Sequence, residues 1–351
     1  MYQPILKNKL NELKGLDYVS LDKSLNPIIE LVDLNKKSTA EDIIKYLLEK
    51  IPKISKNKNI YIDTPTYLYN ELYDYLELGD IENKHNLFLK IKEIFHKNID
   101  FTPVISFDYY YESEKKSYKE NIKFFKKMMN DFDKLAIRIF ANETFSSSDE
   151  ILLSQIYDFL GDELENKHIT LIIEVSKKNK LEIFDLLKEI TKEYKINQIT
   201  LVGEAFNNDS RHSTKEVYDR IKNHHLINFL EIQKSFNSNF VYADYTLVDK
   251  IPNKIEIDPE KGFLYYPFIK FTTEDGNMCY FSAESKGKYE QYKDLCTSII
   301  KKITNYSLDH CSTCKFIKDV SNGTEYKFRS GGTWKYRMIA HHISTMADYF
   351  K

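Results

Sequence analysis

A chain of 351 residues, 42% apolar and 30% charged, with 51 basic against 53 acidic side chains and a formal net charge of -2, carries enough material for a sizeable core. That balance excludes wholesale attraction to nucleic acid or to a membrane surface, and ten glycines with eight prolines leave little for long flexible linkers. No run approaches the roughly 18 uninterrupted apolar residues of a membrane span.

The start, MYQPILKNKL, lacks a basic segment followed by a long apolar run, so a cytoplasmic protein with reduced thiols is expected. From there, short apolar runs recur in chain order. They are QPILK (3–7), NPIIELV (26–32), NIYIDT (59–64), TPVISFD (102–108), KLAIRIF (134–140), ITLIIEV (169–175), ITLVGEA (199–205) and FVYADYT (240–246). Helical patterns lie between them, over 40–51, 120–132, 149–164 and 180–194, with apolar residues three and four apart. Nearly continuous apolar strands alternating with one-sided helices mark a parallel sheet covered by helices. Eight such repeats predict an α/β fold, a closed (β/α)8 TIM-like barrel over 1–254. The runner-up, an open doubly wound sheet, wants a glycine-rich first turn, and KNKLNE has no glycine.

Residues 255–351 read as an α+β C-terminal extension packed on the barrel. A hairpin is expected within 262–285 around EDGN, then a helix over 289–303 and a last helix over 334–350. The stretch RHSTKEVYDRIKNHH (211–225) reads as a mixed-charge, solvated helix.

Each proposed strand carries or ends on a charge: Lys7 and Lys9, Glu30, Asp63, Asp108, Arg138, Glu174, Glu204 and Asp244 in turn. An isolated buried charge is costly, so these groups must pair, bind metal or face a wet cavity. Barrel enzymes keep their sites at the C-terminal ends of the strands. Glu30, Asp63, Glu174, Glu204 and Asp244 are therefore candidates for acid–base catalysis, or oxygen ligands should a divalent metal be the cofactor. Lys7, Lys9, Asp108 and Arg138, with His341 and His342, are candidates for substrate binding, the cations gripping a phosphate or carboxylate. Three tyrosines in FDYYYES (107–113) follow the fourth strand, where aromatic stacking or plain packing would both use them.

DHCSTCK holds Cys311 and Cys314 in C-x-x-C spacing beside His310. With no second pair to complete a zinc site, two reduced cysteines in a loop are expected. His341 and His342 fall on adjacent faces of the last helix, which would let one be buried while the other faces a groove; a satisfied structural histidine is the expected reading, although histidine is also the usual acid–base switch near neutral pH. There is no G-x-x-x-x-G-K-[ST], no H-E-x-x-H and no G-x-S-x-G.

The opening YQPILKNKLNEL, the NPIIELVD at the second strand and the tail GGTWKYRMIAHHISTMADYF resemble the beta protein family, named for a phage T4 protein and found widely in bacteria. The likeness spans both ends of the chain; Lys335 stands where the family pattern has arginine after its tryptophan. The resemblance implies Lys7, Lys9, Glu12, Glu30, Trp334, His341 and His342 as positions to test, and a setting linked to phage or to defence against phage. It supplies no reaction. Glu12, one turn into the first helix, would offset the helix dipole.

The leading expectation is an enzyme, a hydrolase or lyase acting on an anionic small molecule or nucleotide at the barrel mouth. The alternative is a non-catalytic module that recognises a phage or host protein.

Overall fold

The computed structural model describes residues 1–20, 24–32, 39–54, 59–65, 77, 80–95, 99–107, 118–140, 154, 157–158, 161, 164, 166–175, 180–204, 218–236, 239–248, 266–303, 309–325, 328 and 330–351. The strands are β1 (Tyr2–Lys7), β2 (Ile28–Glu30), β3 (Ile60–Asp63), β4 (Phe101–Phe107), β5 (Lys134–Phe140), β6 (His168–Glu174), β7 (Gln198–Gly203), β8 (Tyr218–Ile221) and β9 (Phe240–Asp244). All but β8 close into one parallel barrel, ordered β1-β2-β3-β4-β5-β6-β7-β9. Each of the eight apolar runs in the sequence supplies one strand. Their near-continuous burial, as in β1 and β7, is what a parallel sheet with both faces covered requires.

The helices that follow the strands are α1 (Leu10–Asp17), α2 (Ala40–Ile54), α3 (Ile81–Phe95), α4 (Tyr118–Asp131), α5 (Lys180–Glu193) and α6 (His224–Ser235). On α5 the buried residues are Ile183, Leu186, Leu187 and Ile190, the spacing of a single apolar stripe. The helix expected over 149–164 and the tyrosines of 109–111 fall largely outside the described residues. Among the described residues no helix is long and apolar enough to cross a membrane.

The chain divides into two compact units. The first comprises Met1–Asn8, Leu25–Gly203 and His225–Asp244; the second comprises Lys9–Ser24, Glu204–His224 and Tyr245–Lys351. Two earlier segments, Lys9–Ser24 and Glu204–His224, thus group with the C-terminal residues.

The second unit contains a three-stranded antiparallel sheet in the order β10 (Phe268–Thr272), β11 (Met278–Ser282), β8. The expected hairpin is present. Gly276, at φ 74°, takes the left-handed position of its turn, and the Thr273 amide donates to the Asn277 carbonyl at 2.8 Å. Tyr218–Ile221, expected in a helix, is a strand instead. It pairs with β11 along its length, and that ladder overrides a helical charge pattern that carried no packing information. The helices α7 (Tyr292–Lys302), α8 (Ser312–Asn322) and α9 (Gly331–Tyr349) complete this unit. Its core gathers Phe271, Phe281, Tyr292, Ile317 and Trp334. Trp334 stacks on Tyr292 at 4.8 Å and donates its indole N–H to the Phe328 carbonyl at 2.8 Å.

Candidate functional site

Strand register decides which charges meet. Lys7 lies beside Glu30, Glu30 beside Asp63, and Ser106 beside Arg138. Side chains alternate along a strand, so these groups share one face of the sheet, the barrel interior. Arg138 is fully buried. Its Nη1 donates to Glu30 Oε1 at 2.9 Å and also to Asp63, and its Nη2 donates to Glu174 Oε1 at 2.5 Å. Lys7 Nζ stands 3.8 Å from Glu30 Oε2. Ser106 Oγ donates to Asp63 Oδ1 at 2.7 Å. A planar fork of donors suits this task where a lysine would not. The Asp63 carboxyl is pushed above the ordinary aspartate range. Burial does most of this and the neighbouring Glu30 adds to it, against the opposing pull of Arg138 and the Ser106 hydroxyl.

A second polar layer lies toward the strand beginnings. Gln3 Oε1 accepts from Thr200 Oγ1 at 2.6 Å and from Gln198 Nε2 at 3.5 Å, and Tyr61 Oη meets Thr170 Oγ1 at 3.3 Å. Layered filling of this kind makes the barrel interior a packed core. These residues fall on the same alternation as the charged layer, so the period of two was the signal that could have found them and Ser106.

The remaining candidates are dispersed. Asp244 lies on the opposite face of the sheet from Lys7, in register with Pro4. There Tyr2 Oη donates to Asp244 Oδ1 at 2.6 Å, and Tyr242 packs edge-on to Phe229 of α6. Burial and the Asp244 carboxylate raise the Tyr2 phenol well above its usual value. The shift of one residue between Ala243 and Asp244 moves this carboxylate out of the lumen. Glu204 follows β7, half-buried, and groups with the second unit, as does Lys9, the residue preceding α1. Asp108 lies outside the described residues. The structure therefore brings together Lys7, Glu30, Asp63, Arg138 and Glu174, and leaves Asp244 apart from them.

His341 and His342 are both buried in the second unit and hydrogen-bonded there, as a structural histidine would be. His342 Nδ1 is 2.8 Å from Thr272 Oγ1. His341 Nε2 donates to the Thr272 carbonyl at 2.9 Å, and its Nδ1 lies 3.5 Å from both Cys311 Sγ and Cys314 Sγ. The two cysteines are not in a loop: Cys311 is the N-cap of α8 and Cys314 lies in its first turn, buried. The hydrogen bond shared by Cys311 and Cys314, together with His341, holds the Cys311 thiol far below its usual value. The same hydrogen bond and burial push Cys314 up. The C-x-x-C spacing was visible in the sequence; its histidine, on another helix, was not assignable without the fold.

The two ends of the chain meet in this unit. Glu12 of α1 is buried and pairs with Lys335 of α9 at 3.9 Å, so its partner is a side chain as well as a helix end. Lys14 sits over the Tyr336 ring at 4.0 Å, and Arg337 over Phe316 at 3.5 Å. A Cβ on Gly15 would come within 2.7 Å of Ile339 Cγ2, so glycine permits the close approach of α1 to α9.

No curated protein matches the chain in sequence. Among solved structures, a GH18 chitinase from Pseudoalteromonas aurantia is similar at 11% identity and a TM-score of 0.43, over 69% of this chain and 93% of that one. A family model described as Beta protein matches residues 2–348, and the chain belongs to that family.

Proposed function

We propose that this Beta protein family barrel is a cytoplasmic enzyme, a hydrolase or lyase, acting on an anionic small molecule or nucleotide in the conflict between phage and host. One observation carries the reading: three carboxylates, Glu30, Asp63 and Glu174, converge on a single buried guanidinium at the strand ends where barrel enzymes keep their chemistry. Three carboxylates against Arg138 and Lys7 leave one negative charge in excess, so the set readily takes up a proton. Asp63, with its raised proton affinity, is the general acid and base. Arg138 is a positioning residue, since both its terminal nitrogens are engaged by the carboxylates. Lys7 is the cation for the anionic group of the substrate, and Glu174 and Glu30 are the carboxylates that would also offer oxygen ligands to a divalent metal.

A second reading, a binding module without chemistry, is favoured by one specific observation. The charges of the cluster already satisfy one another, as a structural ion network would. The test is a panel of phosphomonoesters, phosphodiesters, nucleotides and glycosides offered to the wild-type chain, Asp63→Asn and Lys7→Ala, each first shown to be folded by circular dichroism. Turnover by the wild type that is lost in folded Asp63→Asn supports the enzyme. Undiminished turnover in folded Asp63→Asn, or none by the wild type on any probe, overturns it in favour of the module.

A further inference from the structure

Outside the barrel, one cluster has the donor set, distances and support of a metal centre. Cys311 Sγ, Cys314 Sγ and His341 Nδ1 lie within 4.8 Å of one another, the three-residue grouping of metal-ligating side chains found among the described residues. Their separations are 3.5 Å between the sulfurs and 3.5 Å from each sulfur to the nitrogen. A tetrahedral zinc ion, with Zn–S about 2.3 Å and Zn–N about 2.0–2.1 Å, needs sulfurs about 3.8 Å apart and sulfur–nitrogen pairs about 3.5 Å apart. The ligands therefore need to move by only tenths of an ångström to accept one.

The histidine is also prepared. A backbone carbonyl only accepts, so the 2.9 Å contact from His341 Nε2 to Thr272 O fixes the proton on Nε2. The Nδ1 lone pair is thereby aimed at the two sulfurs. A carbonyl holding the far nitrogen of a ligating histidine is the usual outer support of a metal site. Phe271 packs against the same ring at 4.1 Å and helps to fix its orientation.

Two other uses of the cluster fit less well. A redox C-x-x-C pair has no need of an imidazole equidistant from both sulfurs. Simple burial of two thiols explains neither the shared nitrogen nor its fixed tautomer. Charge favours a divalent ion: two thiolates, one neutral imidazole and one dication sum to zero, so the filled site is the form that burial penalises least.

We infer that Cys311, Cys314 and His341 form a binding site for a thiophilic divalent cation, zinc in the first instance, that joins the start of α8 to α9 and β10. On binding, both sulfurs coordinate as thiolates with any thiol proton released to solvent, two Zn–S bonds and one Zn–N bond form, and no oxidant or reductant takes part. Cys311 is the most exposed of the three. His310, next in the chain, is instead held by Asp348 at 3.2 Å and by Thr345 at 3.4 Å.

The experiment uses the full chain, reduced and stripped with a chelator, then titrated with zinc against a chromophoric competitor and separately with cobalt. One zinc per chain is expected, with an intense sulfur-to-cobalt charge-transfer band and the visible bands of tetrahedral cobalt. Cys311→Ser should keep the fold and lose both the stoichiometric zinc and that band. Because Cys314 and His341 are buried and their variants risk unfolding, the wild-type stoichiometry stands as the second measurement. Zinc retained by Cys311→Ser, cobalt bound without the sulfur band, or no zinc on the reduced wild type would each overturn the inference. None of these readouts depends on the barrel chemistry.

Discussion

In the barrel, three carboxylates are collected on a guanidinium that the same chain supplies. In the second unit, two thiols and an imidazole are collected instead, all of them groups that offer lone pairs once deprotonated. Both clusters are buried, and both answer the rule that ionisable groups taken out of water need partners. They answer it differently because the fold presents different things. Eight parallel strands ending at one level put acidic and basic side chains into the same ring, so ion pairing among themselves is available. A helix start facing the middle of another helix gives close approach of soft ligands, at spacings that suit an added ion. Buried polarity alone thus does not name a chemistry; whether the set already holds cations of its own does.

The comparison is broken most severely from the barrel side. Arg138→Met leaves Glu30, Asp63 and Glu174 facing one another without their cation, at an expected cost of about 3–5 kcal/mol, read by urea denaturation. Were that variant as stable as wild type, Arg138 would not be the cation that holds the three carboxylates together. Tyr2→Phe touches only the outward carboxylate: removing the hydroxyl from buried Asp244 should cost about 1–3 kcal/mol and leave any turnover at the lumen unchanged. Lost turnover in a folded Tyr2→Phe chain would show that the two faces of the sheet are coupled. On the second unit, Gly15→Ala forces a methyl against Ile339 and the Tyr336 carbonyl and should cost about 1–3 kcal/mol without altering any charge.

The pH dependence sharpens the contrast. The Asp63 proton is held more tightly in the folded chain than in the unfolded one. Its contribution to stability is therefore full below the ordinary aspartate range and falls as pH rises through the folded value, by at most about 1.4 kcal/mol per pH unit for one proton. Subtracting the stability profile of Asp63→Asn from that of wild type should isolate this falling slope; a difference that rises with pH would reverse the assignment. The smallest effect belongs to Lys335→Gln. Its ammonium is half-exposed and 3.9 Å from Glu12, so less than about 1 kcal/mol is expected in a thermal melt.

The strands were legible because each buries both faces and so reads as an unbroken apolar run, from Ile28 and Ile29 of β2 to the Ile169–Ile173 stretch of β6. The charges at their ends were legible as a set for the same reason, standing out against apolar neighbours. What the runs do not carry is the side on which each charge stands. Asp244 and Glu30 look alike in sequence, yet one meets Tyr2 on the outer face and the other meets Arg138 in the lumen, since a single step along a strand reverses direction. Tyr218–Ile221 was misread because a short strand held by its neighbour leaves a weak local pattern.

The amino-acid sequence by itself determined the parallel barrel and the acidic and basic residues available to its strand ends. Hydrophobic periodicity is local, and it is written wherever an element must bury a face. Only the tertiary structure decided that Arg138 gathers three carboxylates, that α1 lies against α9 through Gly15, and that His341 points one nitrogen at Cys311 and Cys314. Those meetings join residues tens to hundreds of positions apart, and no short window of sequence contains the distances that make them.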